Sequence, residues 1–197
     1  MDWYTGATMK PSLIIAGLGN PGKSYDRTRH NTGFQALDVL SETFGQGVWK
    51  EQQKFSSLVQ EARVVTVPVL LVKPLLFMNR SGESLRKLID FFKLNPAEEL
   101  LVLCDDIDIP LGTVRLRKNG GPGTHNGLKS IVEQFGEGFP RLRIGIGPNP
   151  EAADLAAWVL SVPPAEEAAT LKKTLAELPD MISEFILPAN PKQQAIA

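Results

Sequence analysis

The stretch that decides the fold is residues 12–22, where the apolar run Ser12-Leu13-Ile14-Ile15-Ala16 leads into Gly17-Leu18-Gly19-Asn20-Pro21-Gly22. A short, continuous apolar run that stops at a glycine predicts a buried strand, parallel to its neighbours and central in a sheet. The glycines that follow have the spacing G-x-G-x-x-G, which in dinucleotide-binding proteins forms the turn beneath a pyrophosphate. The stretch therefore predicts a sheet with a functional loop at the carboxyl end of its first strand.

Two observations weigh against a dinucleotide site in this loop. Such a site needs a helix to open at the glycines, so that its N-terminal amides meet the pyrophosphate. Here Pro21 and the polar run 23–29 delay the helix to about residue 30. No suitable acid ends a second strand about 20 residues on, because Asp38 and Glu42 fall within the predicted helix. A dinucleotide-dependent oxidoreductase is thus a minor alternative, and the glycines are interpreted as shaping a loop that presents Asn20.

Periodic apolar residues divide the rest of the chain into alternating helices and strands. Helical spacing predicts helices from Asn31 to Gly45, around 85–92 and 125–135, and over 164–187 with a kink at Pro179. Strand patterns occur at 55–65 and 67–72, which form a predicted hairpin, and at 100–104, 113–117 and 141–146. Asn79 or Ser81 is expected to cap the second helix.

This alternation predicts a single α/β domain over residues 9–197, with a mixed, mostly parallel twisted sheet flanked by helices. Residues 1–8 are interpreted as a disordered extension.

The composition is that of an ordinary globular protein. The chain has 197 residues, of which 43% are hydrophobic and 22% charged, close to the averages for soluble domains. Its single cysteine, Cys104, lies in an apolar run and is expected to be a buried, inert thiol in a reducing compartment. The start of the chain lacks an apolar signal region, and Pro68, Lys73 and Pro74 interrupt the longest apolar stretch. We therefore expect a cytoplasmic protein without a membrane span.

Charge is unevenly distributed along a chain whose net charge is −1. Residues 115–143 contain six basic and two acidic residues, a local charge of +4, whereas residues 150–197 contain seven acidic residues and three lysines, a local charge of −4. A basic segment of this kind is what a phosphate-binding patch requires. A solvated face with incidental charge is the alternative.

The chain has two histidines, His30 and His125, which narrows the search for a base that can exchange protons near neutral pH. His30 lies at a predicted helix start. The positive end of a helix lowers the pKa of a histidine, which would favour the neutral form that a general base needs. A surface or capping histidine is the alternative. His125 follows a glycine-rich loop and is interpreted as a helix-start residue rather than a catalytic one.

A group of carboxylates follows the strand-like run 100–104, beginning with Asp105, Asp106 and Asp108. One of them could accept a hydrogen bond from an imidazole and fix its tautomer. Functional crevices of α/β sheets lie beyond the carboxyl ends of the strands, so Asn20, Asp105 and the loop before His125 could converge there. The chain lacks the ligand spacings of zinc or calcium sites and a Gly-x-Ser-x-Gly motif. Direct attack by water, without a metal, is the simplest chemistry.

These pieces together resemble the bacterial peptidyl-tRNA hydrolases along nearly the whole chain. Five ordered blocks carry the resemblance: residues 17–22 with Tyr25 and Thr28-Arg29-His30-Asn31; Lys73-Pro74 with residues 77–82; residues 105–110; residues 125–131; and residues 141–147. The resemblance implies a phosphorylase/hydrolase-like α/β fold. It also implies hydrolysis of the ester between a peptide and tRNA, with no cofactor, no metal and no obligatory protein partner, by a monomer.

The resemblance also implies roles for individual residues. His30 would be the general base and Asp105 would orient it, while Asn20 would donate to the developing oxyanion. The residues implied to contact the substrate are Tyr25, Met78, Asn79 and Asn126. Those implied to hold the terminal phosphate of the tRNA acceptor stem are Arg117, Arg143 and Lys129.

The chain departs from the family pattern at three places: Leu76, Thr124 and the loop Asn119-Gly120-Gly121-Pro122. None of these removes an implied catalytic group, but Pro122 and Thr124 bear on how the loop moves. A noncatalytic RNA-binding relative of the same fold is the main alternative function.

Overall fold

A seven-stranded sheet organises the computed structural model, which describes residues 10–148 and 154–187. The strands are β1 (Leu13–Gly17), β2 (Gly45–Gln52), β3 (Ser57–Val64), β4 (Val67–Pro74), β5 (Leu100–Pro110), β6 (Val114–Arg117) and β7 (Arg141–Gly147). The helices are α1 (Thr32–Phe44), α2 (Ser81–Phe92), α3 (Pro96–Glu99), α4 (Asn126–Phe135), α5 (Leu155–Val159), α6 (Ala165–Ala176) and α7 (Leu178–Ile186).

The sheet is mixed, with strand order β2-β3-β4-β1-β5-β7-β6. Its centre is parallel, because β1 pairs with β4 and β5, and β5 pairs with β7, all in the same direction. The outer strands pair in the antiparallel direction: β2 with β3, β3 with β4, and β6 with β7. All five residues of β1 are buried, as expected for a parallel strand covered on both faces. The predicted central strand and mixed α/β sheet are therefore confirmed.

Helices cover both faces of the sheet because successive strand residues point to opposite sides. Ile15 of β1 lies in one apolar cluster with Leu37 of α1, and α6 and α7 contribute further apolar residues to it. Ile14 lies in a second cluster with Leu88 of α2 and Ile131 of α4. Cys104 belongs to this second cluster and is fully buried, and burial raises the pKa of its thiol. The prediction of a buried thiol is confirmed.

Several predicted boundaries need correction. β2 was not predicted, since it is an edge strand whose residues are half-buried or exposed and carry no apolar alternation. β5 extends to Pro110, so Asp105 and Asp106 lie within the strand instead of past its end. The expected cap of α2 by Asn79 or Ser81 is wrong. Arg80 occupies the N-cap position without a capping side chain, and the Ser81 hydroxyl donates back to the Met78 carbonyl at 3.0 Å.

The predicted hairpin is confirmed by eight antiparallel pairs between β3 and β4. The expected kink at Pro179 is a break, because α6 ends at Ala176 and Pro179 lies in the first turn of α7, a position that tolerates proline. The predicted extension 1–8 lies outside the described residues. Among the helices of the described segments, none has the length and apolarity needed to cross a membrane.

Candidate active site

A cavity of about 370 Å³ opens at the carboxyl end of β5. His30, Asp105 and His125 lie in its wall, together with Asn126 and Arg143. His30 comes from a 3-10 turn, Arg29–Asn31, that precedes α1, and His125 is the N-cap of α4. The crevice thus gathers residues from three parts of the chain at the edge where α/β sheets bind their ligands.

Asp105 is the centre of this group, and its side chain is only 2% exposed. His30 Nδ1 lies 3.0 Å from Asp105 Oδ2 and 3.1 Å from Oδ1. His125 Nε2 lies 3.0 Å from Asp105 Oδ1. A buried carboxylate needs hydrogen-bond donors to offset its lost hydration, and two imidazoles supply them.

The backbone of α4 fixes which nitrogen of His125 carries a proton. The amides of Gly127 and Leu128 lie 3.1 and 3.3 Å from His125 Nδ1 and can only donate to it. Nδ1 therefore accepts, the proton is on Nε2, and Nε2 donates to Asp105. His30 correspondingly donates from Nδ1, so its Nε2 carries the lone pair. No group in the described part of the chain hydrogen-bonds this Nε2, which leaves it available to a molecule in the cavity.

The electrostatics of the pair differ from the expectation based on the helix start. Burial lowers the pKa of His30, but the charge and hydrogen bond of Asp105 outweigh burial and raise the pKa above its ordinary value. Burial would raise the pKa of Asp105, but the electrostatic attraction and hydrogen bonds of His125 and His30 hold it well below its usual range. The expected lowering of the His30 pKa by a helix N-terminus is therefore wrong, because a carboxylate in direct contact is the stronger influence.

Three possible metal-ligand atoms, one each from His30, Asp105 and His125, lie within 4.8 Å of one another, a spacing that would suit a metal ion. The protonation of these atoms does not suit a metal ion. A metal ligand needs a lone pair on His125 Nε2, but the two α4 amides that donate to Nδ1 keep the proton on Nε2. A metal ion would have to break the cap of α4, so these residues fit a hydrogen-bonded group better than a metal centre.

Asn20 is presented by a tightly packed loop, as the glycine spacing predicted. A Cβ on Gly17 would lie 2.2 Å from the Gly33 carbonyl oxygen, so β1 and α1 approach each other too closely for a side chain there. The Asn31 side chain accepts from the Asn20 amide at 2.9 Å and donates to the Asn20 carbonyl at 3.0 Å. Asn31 therefore holds the backbone of Asn20, although it occupies the N-cap position of α1 and could have capped the helix.

The Asn20 amide group has a fixed orientation. Its Oδ1 accepts from the Met78 backbone at 2.8 Å, which leaves Nδ2 as the donor for a substrate. The G-x-G-x-x-G stretch opens no helix, since α1 begins at Thr32. The geometry of a pyrophosphate-binding turn is thus missing from this loop.

The predicted substrate-contacting residues occupy different environments. Met78 is 4% exposed and belongs to an apolar cluster, so much of it serves the core. Asn79 and Asn126 are exposed, and Asn126 lines the cavity. Tyr25 is half-buried, and the exposed ring of Phe77 meets it edge to face at 6.4 Å between centroids.

The predicted phosphate-binding arginines line a second cavity of about 220 Å³. Arg117, Arg143 and the buried Arg141 all contribute to its wall. Lys129 does not line it; this residue lies on α4, with its Nζ 3.5 Å from Asn126 Oδ1. Two of the three predicted residues are thus brought together, and the third lies apart.

A short helix forms another wall of the cavity that His30 lines. Leu155 and Val159 of α5 line the cavity, and Arg29, the neighbour of His30, anchors this region. The guanidinium of Arg29 lies 4.6 Å from the ring centroid of Trp158 in α5. It also donates to Ser161 Oγ and to Glu167 Oε2, both at 2.6 Å. Pro122 and Thr124, two of the departures from the family pattern, lie in the same cavity wall.

Sequence reasoning gave no individual role to Arg29, Asn31 or Arg141, and it named Asp106 only as one of a group of carboxylates. Each was visible as a polar residue inside a motif block, but their partners are distant in sequence. The prediction that His125 is a helix-start residue is confirmed by its cap of α4, but its hydrogen bond to Asp105 was not predicted.

A histidine that lines a cavity, with one nitrogen held by a buried carboxylate and the other without a hydrogen bond in the described residues, is suited to activating water. In the described residues, no serine or cysteine hydrogen-bonds to either histidine. Fold and site together fit a hydrolase built on a mixed α/β sheet.

Comparison with known proteins agrees with this class. The model of the peptidyl-tRNA hydrolase family matches residues 14–196. The chain is 45% identical over 174 residues to the peptidyl-tRNA hydrolase of Alkaliphilus oremlandii, with 88% of this chain and 92% of that protein covered. It is 46% identical to that of Chloroflexus aggregans at the same coverage. The crystal structure of peptidyl-tRNA hydrolase from Acinetobacter baumannii superposes with a TM-score of 0.82 and 33% identity, covering 93% of this chain and 94% of that one. The chain belongs to the peptidyl-tRNA hydrolase family and is an enzyme, a hydrolase.

Proposed function

We propose that the protein hydrolyses the ester bond that joins a peptide, or an N-blocked amino acid, to tRNA, and that His30 activates the attacking water. The observation that carries this mechanism is the hydrogen bond from His30 Nδ1 to Asp105, which leaves Nε2 as an acceptor on a residue that lines the cavity. A water molecule at hydrogen-bond distance from Nε2 gives up a proton as it attacks the ester carbonyl. Asp105 stabilises the imidazolium that results.

Two further steps complete the proposed reaction. Negative charge develops on the carbonyl oxygen, and Asn20 Nδ2 is the donor for it because Oδ1 is held by Met78. The imidazolium then returns its proton to the departing ribose oxygen, which releases the free tRNA and a peptide carboxylate. No covalent intermediate forms.

Asn79 and Asn126 would position the substrate beside this centre, and Tyr25 and Met78 would receive the peptide. Arg117 and Arg143 would hold the terminal phosphate of the acceptor stem, since a planar guanidinium fork suits a phosphate. Lys129 would act as a weaker, peripheral contact, because it lies outside the cavity that the two arginines share. In this proposal the protein is a cytoplasmic monomer that recycles tRNA from prematurely released peptidyl-tRNA.

The deciding experiment is release of an N-blocked amino acid from tRNA in the presence of a chelator, with wild type and His30→Ala compared. Wild type is expected to release the amino acid, and the variant to lose at least about 100-fold in rate. Arg86→Ala, at an exposed ion pair on α2, is the matched control. Wild-type binding of tRNA without release would favour the noncatalytic RNA-binding relative. Equal rates in wild type and His30→Ala would reject the mechanism.

A further inference from the structure

Arg143 lies between two cavities. It lines the catalytic cavity that holds His30, and it also lines the basic cavity that holds Arg117. Gly121 is the other residue common to both walls. The side chain of Arg143 therefore lies between the two cavities. Its position sets the distance between an anion bound in the basic cavity and a group that reacts beside His30.

Asp106 holds the Arg143 side chain in place. Its side chain is 7% exposed and forms an ion pair with Arg143 through Oδ2 and Nε. The other oxygen, Oδ1, accepts from the Asp108 amide at 2.9 Å, so the carboxylate itself is fixed to its own strand. Since Nε is the inner nitrogen of the side chain, this pairing leaves the outer nitrogens of Arg143 as the donors for a second anion.

Arg141 fixes the loop at Gly121, which lines both cavities. The residue is 1% exposed, and its guanidinium donates to the carbonyl oxygens of Gly120 at 2.6 Å and Gly121 at 3.3 Å. It also donates to the Glu137 carbonyl at 2.9 Å. Within the described segments it forms no ion pair, although the charge of Glu137 acts on it. Arg141 therefore adds to the positive charge around the cavity that Arg117 and Arg143 line.

We propose that Asp106 is a positioning residue, which orients Arg143 so that the enzyme measures the distance from the substrate's terminal phosphate monoester to its ester bond. This inference rests on the proposed function. Asp105 and Asp106 are consecutive residues of β5: the first orients the base His30, and the second orients the arginine that receives the phosphate. One rigid strand thereby aligns both ends of the substrate, and the enzyme discriminates in favour of acceptor stems that carry the phosphate.

The test uses two RNA hairpins that mimic an acceptor stem and carry the same N-blocked amino acid, one with and one without a 5′-phosphate. Asp106→Asn keeps the shape of the side chain and removes its charge. We expect it to raise KM for the phosphorylated hairpin about tenfold, with kcat changed less than about twofold. For the hairpin without phosphate, KM should change much less, so that the ratio of the two KM values falls toward one. Asp90→Asn, which breaks the exposed pair with Arg86, is the control.

A double-variant comparison separates positioning from simple destabilisation. Arg143→Ala should lose the same discrimination, and adding Asp106→Asn to it should cause no further loss. If Asp106→Asn does not fold, Arg143→Lys serves in its place, since it keeps the charge and loses the planar fork; it should show the same selective loss.

Equal losses on both hairpins, additive losses in the double variant, or tighter binding of the phosphorylated hairpin by Asp106→Asn would each overturn the inference. Full discrimination by Arg143→Lys would also overturn it. If wild type hydrolyses both hairpins equally well, the proposed phosphate contact fails as well, although hydrolysis by His30 stands. If wild type discriminates and Asp106→Asn discriminates equally, only the positioning role fails.

Discussion

His30 and His125 lie 4.8 Å apart between ring centroids, and each places a nitrogen 3.0 Å from the same carboxylate, that of Asp105. The two rings hold Asp105 from different sides, so the carboxylate cannot rotate without losing a donor. His125 is itself fixed by two amides at the start of α4. The start of α4 fixes His125, His125 fixes Asp105, and Asp105 orients His30. The orientation of the proposed base therefore depends on α4, to which His30 itself makes no hydrogen bond.

Replacing His125 separates these two contributions. Asn at this position can still accept from the amides of Gly127 and Leu128 as an N-cap, but it is too short to reach Asp105. We expect His125→Asn to lower kcat/KM by about 10- to 100-fold with little change in the melting temperature. His125→Ala should show the same loss of activity and an added loss of about 1 kcal/mol in stability. Kinetics and thermal melting of both variants test this. Wild-type activity in His125→Asn would mean that one imidazole suffices to hold Asp105.

The pH dependence of the rate follows from the raised pKa of His30. The base works in its neutral form, so kcat/KM should rise with pH through a midpoint above the ordinary value for histidine. Asp105→Asn removes the charge that raises this pKa and leaves the burial that lowers it. The midpoint of the variant should therefore shift to lower pH, and its plateau rate should fall. A pH–rate profile of both proteins measures the two effects. An unshifted midpoint would show that the rise of kcat/KM with pH reports the titration of a group other than His30.

The raised pKa of His30 should also make the stability of the protein depend on pH, in a direction that can be worked out. Because the folded pKa of His30 is raised, its contribution is fully present below the unfolded pKa, about 6.5, and is lost as pH rises through the folded pKa. In Asp105→Asn, buried His30 resists protonation, so stability should fall as pH drops below about 6.5. The melting temperature of wild type minus that of the variant should thus grow between about pH 8 and about pH 5.5. A constant difference would contradict the assigned pair.

The parallel core could be predicted from sequence because continuous apolar runs such as Leu13–Gly17 have few other stable locations. β2 could not, since an exposed edge strand is defined by its pairing with β3 and has no pattern of its own. Asp105 and Asp106 are chemically equivalent in the sequence; only the direction of each side chain from β5 separates a partner of His30 from a partner of Arg143. Lys129 and Arg117 are likewise equal as charges, and the sheet brings only the second beside Arg143.

Salt dependence of tRNA binding tests the proposed phosphate contacts. Each lost phosphate contact should reduce the slope of log K against log salt by about 0.7 to 0.9. Arg117→Ala and Arg143→Ala should each show this change. The ligand is deacylated tRNA, which carries no ester that the enzyme could hydrolyse during the measurement. Lys129→Ala should show a smaller one, because Lys129 lies outside the basic cavity. Lys87→Ala on α2 is the control. Unchanged slopes in both arginine variants would place the phosphate elsewhere.

Arg29 links the catalytic turn to the opposite wall of the cavity. It contacts Trp158, Ser161 and Glu167 at once, whereas lysine could keep the charge but reach only one of these partners. We expect Arg29→Lys to destabilise the protein by about 1–3 kcal/mol and to lower kcat/KM about tenfold, because α5 no longer holds its place beside His30.

Glu167→Gln should cost less than about 1 kcal/mol, since Glu167 is 40% exposed. The matched control is Arg86→Lys, at an exposed pair with Asp90. Denaturant unfolding and kinetics on the same preparations separate the two roles of Arg29. A lowered stability with wild-type kcat/KM in Arg29→Lys would mean that Arg29 stabilises the fold without positioning the cavity wall.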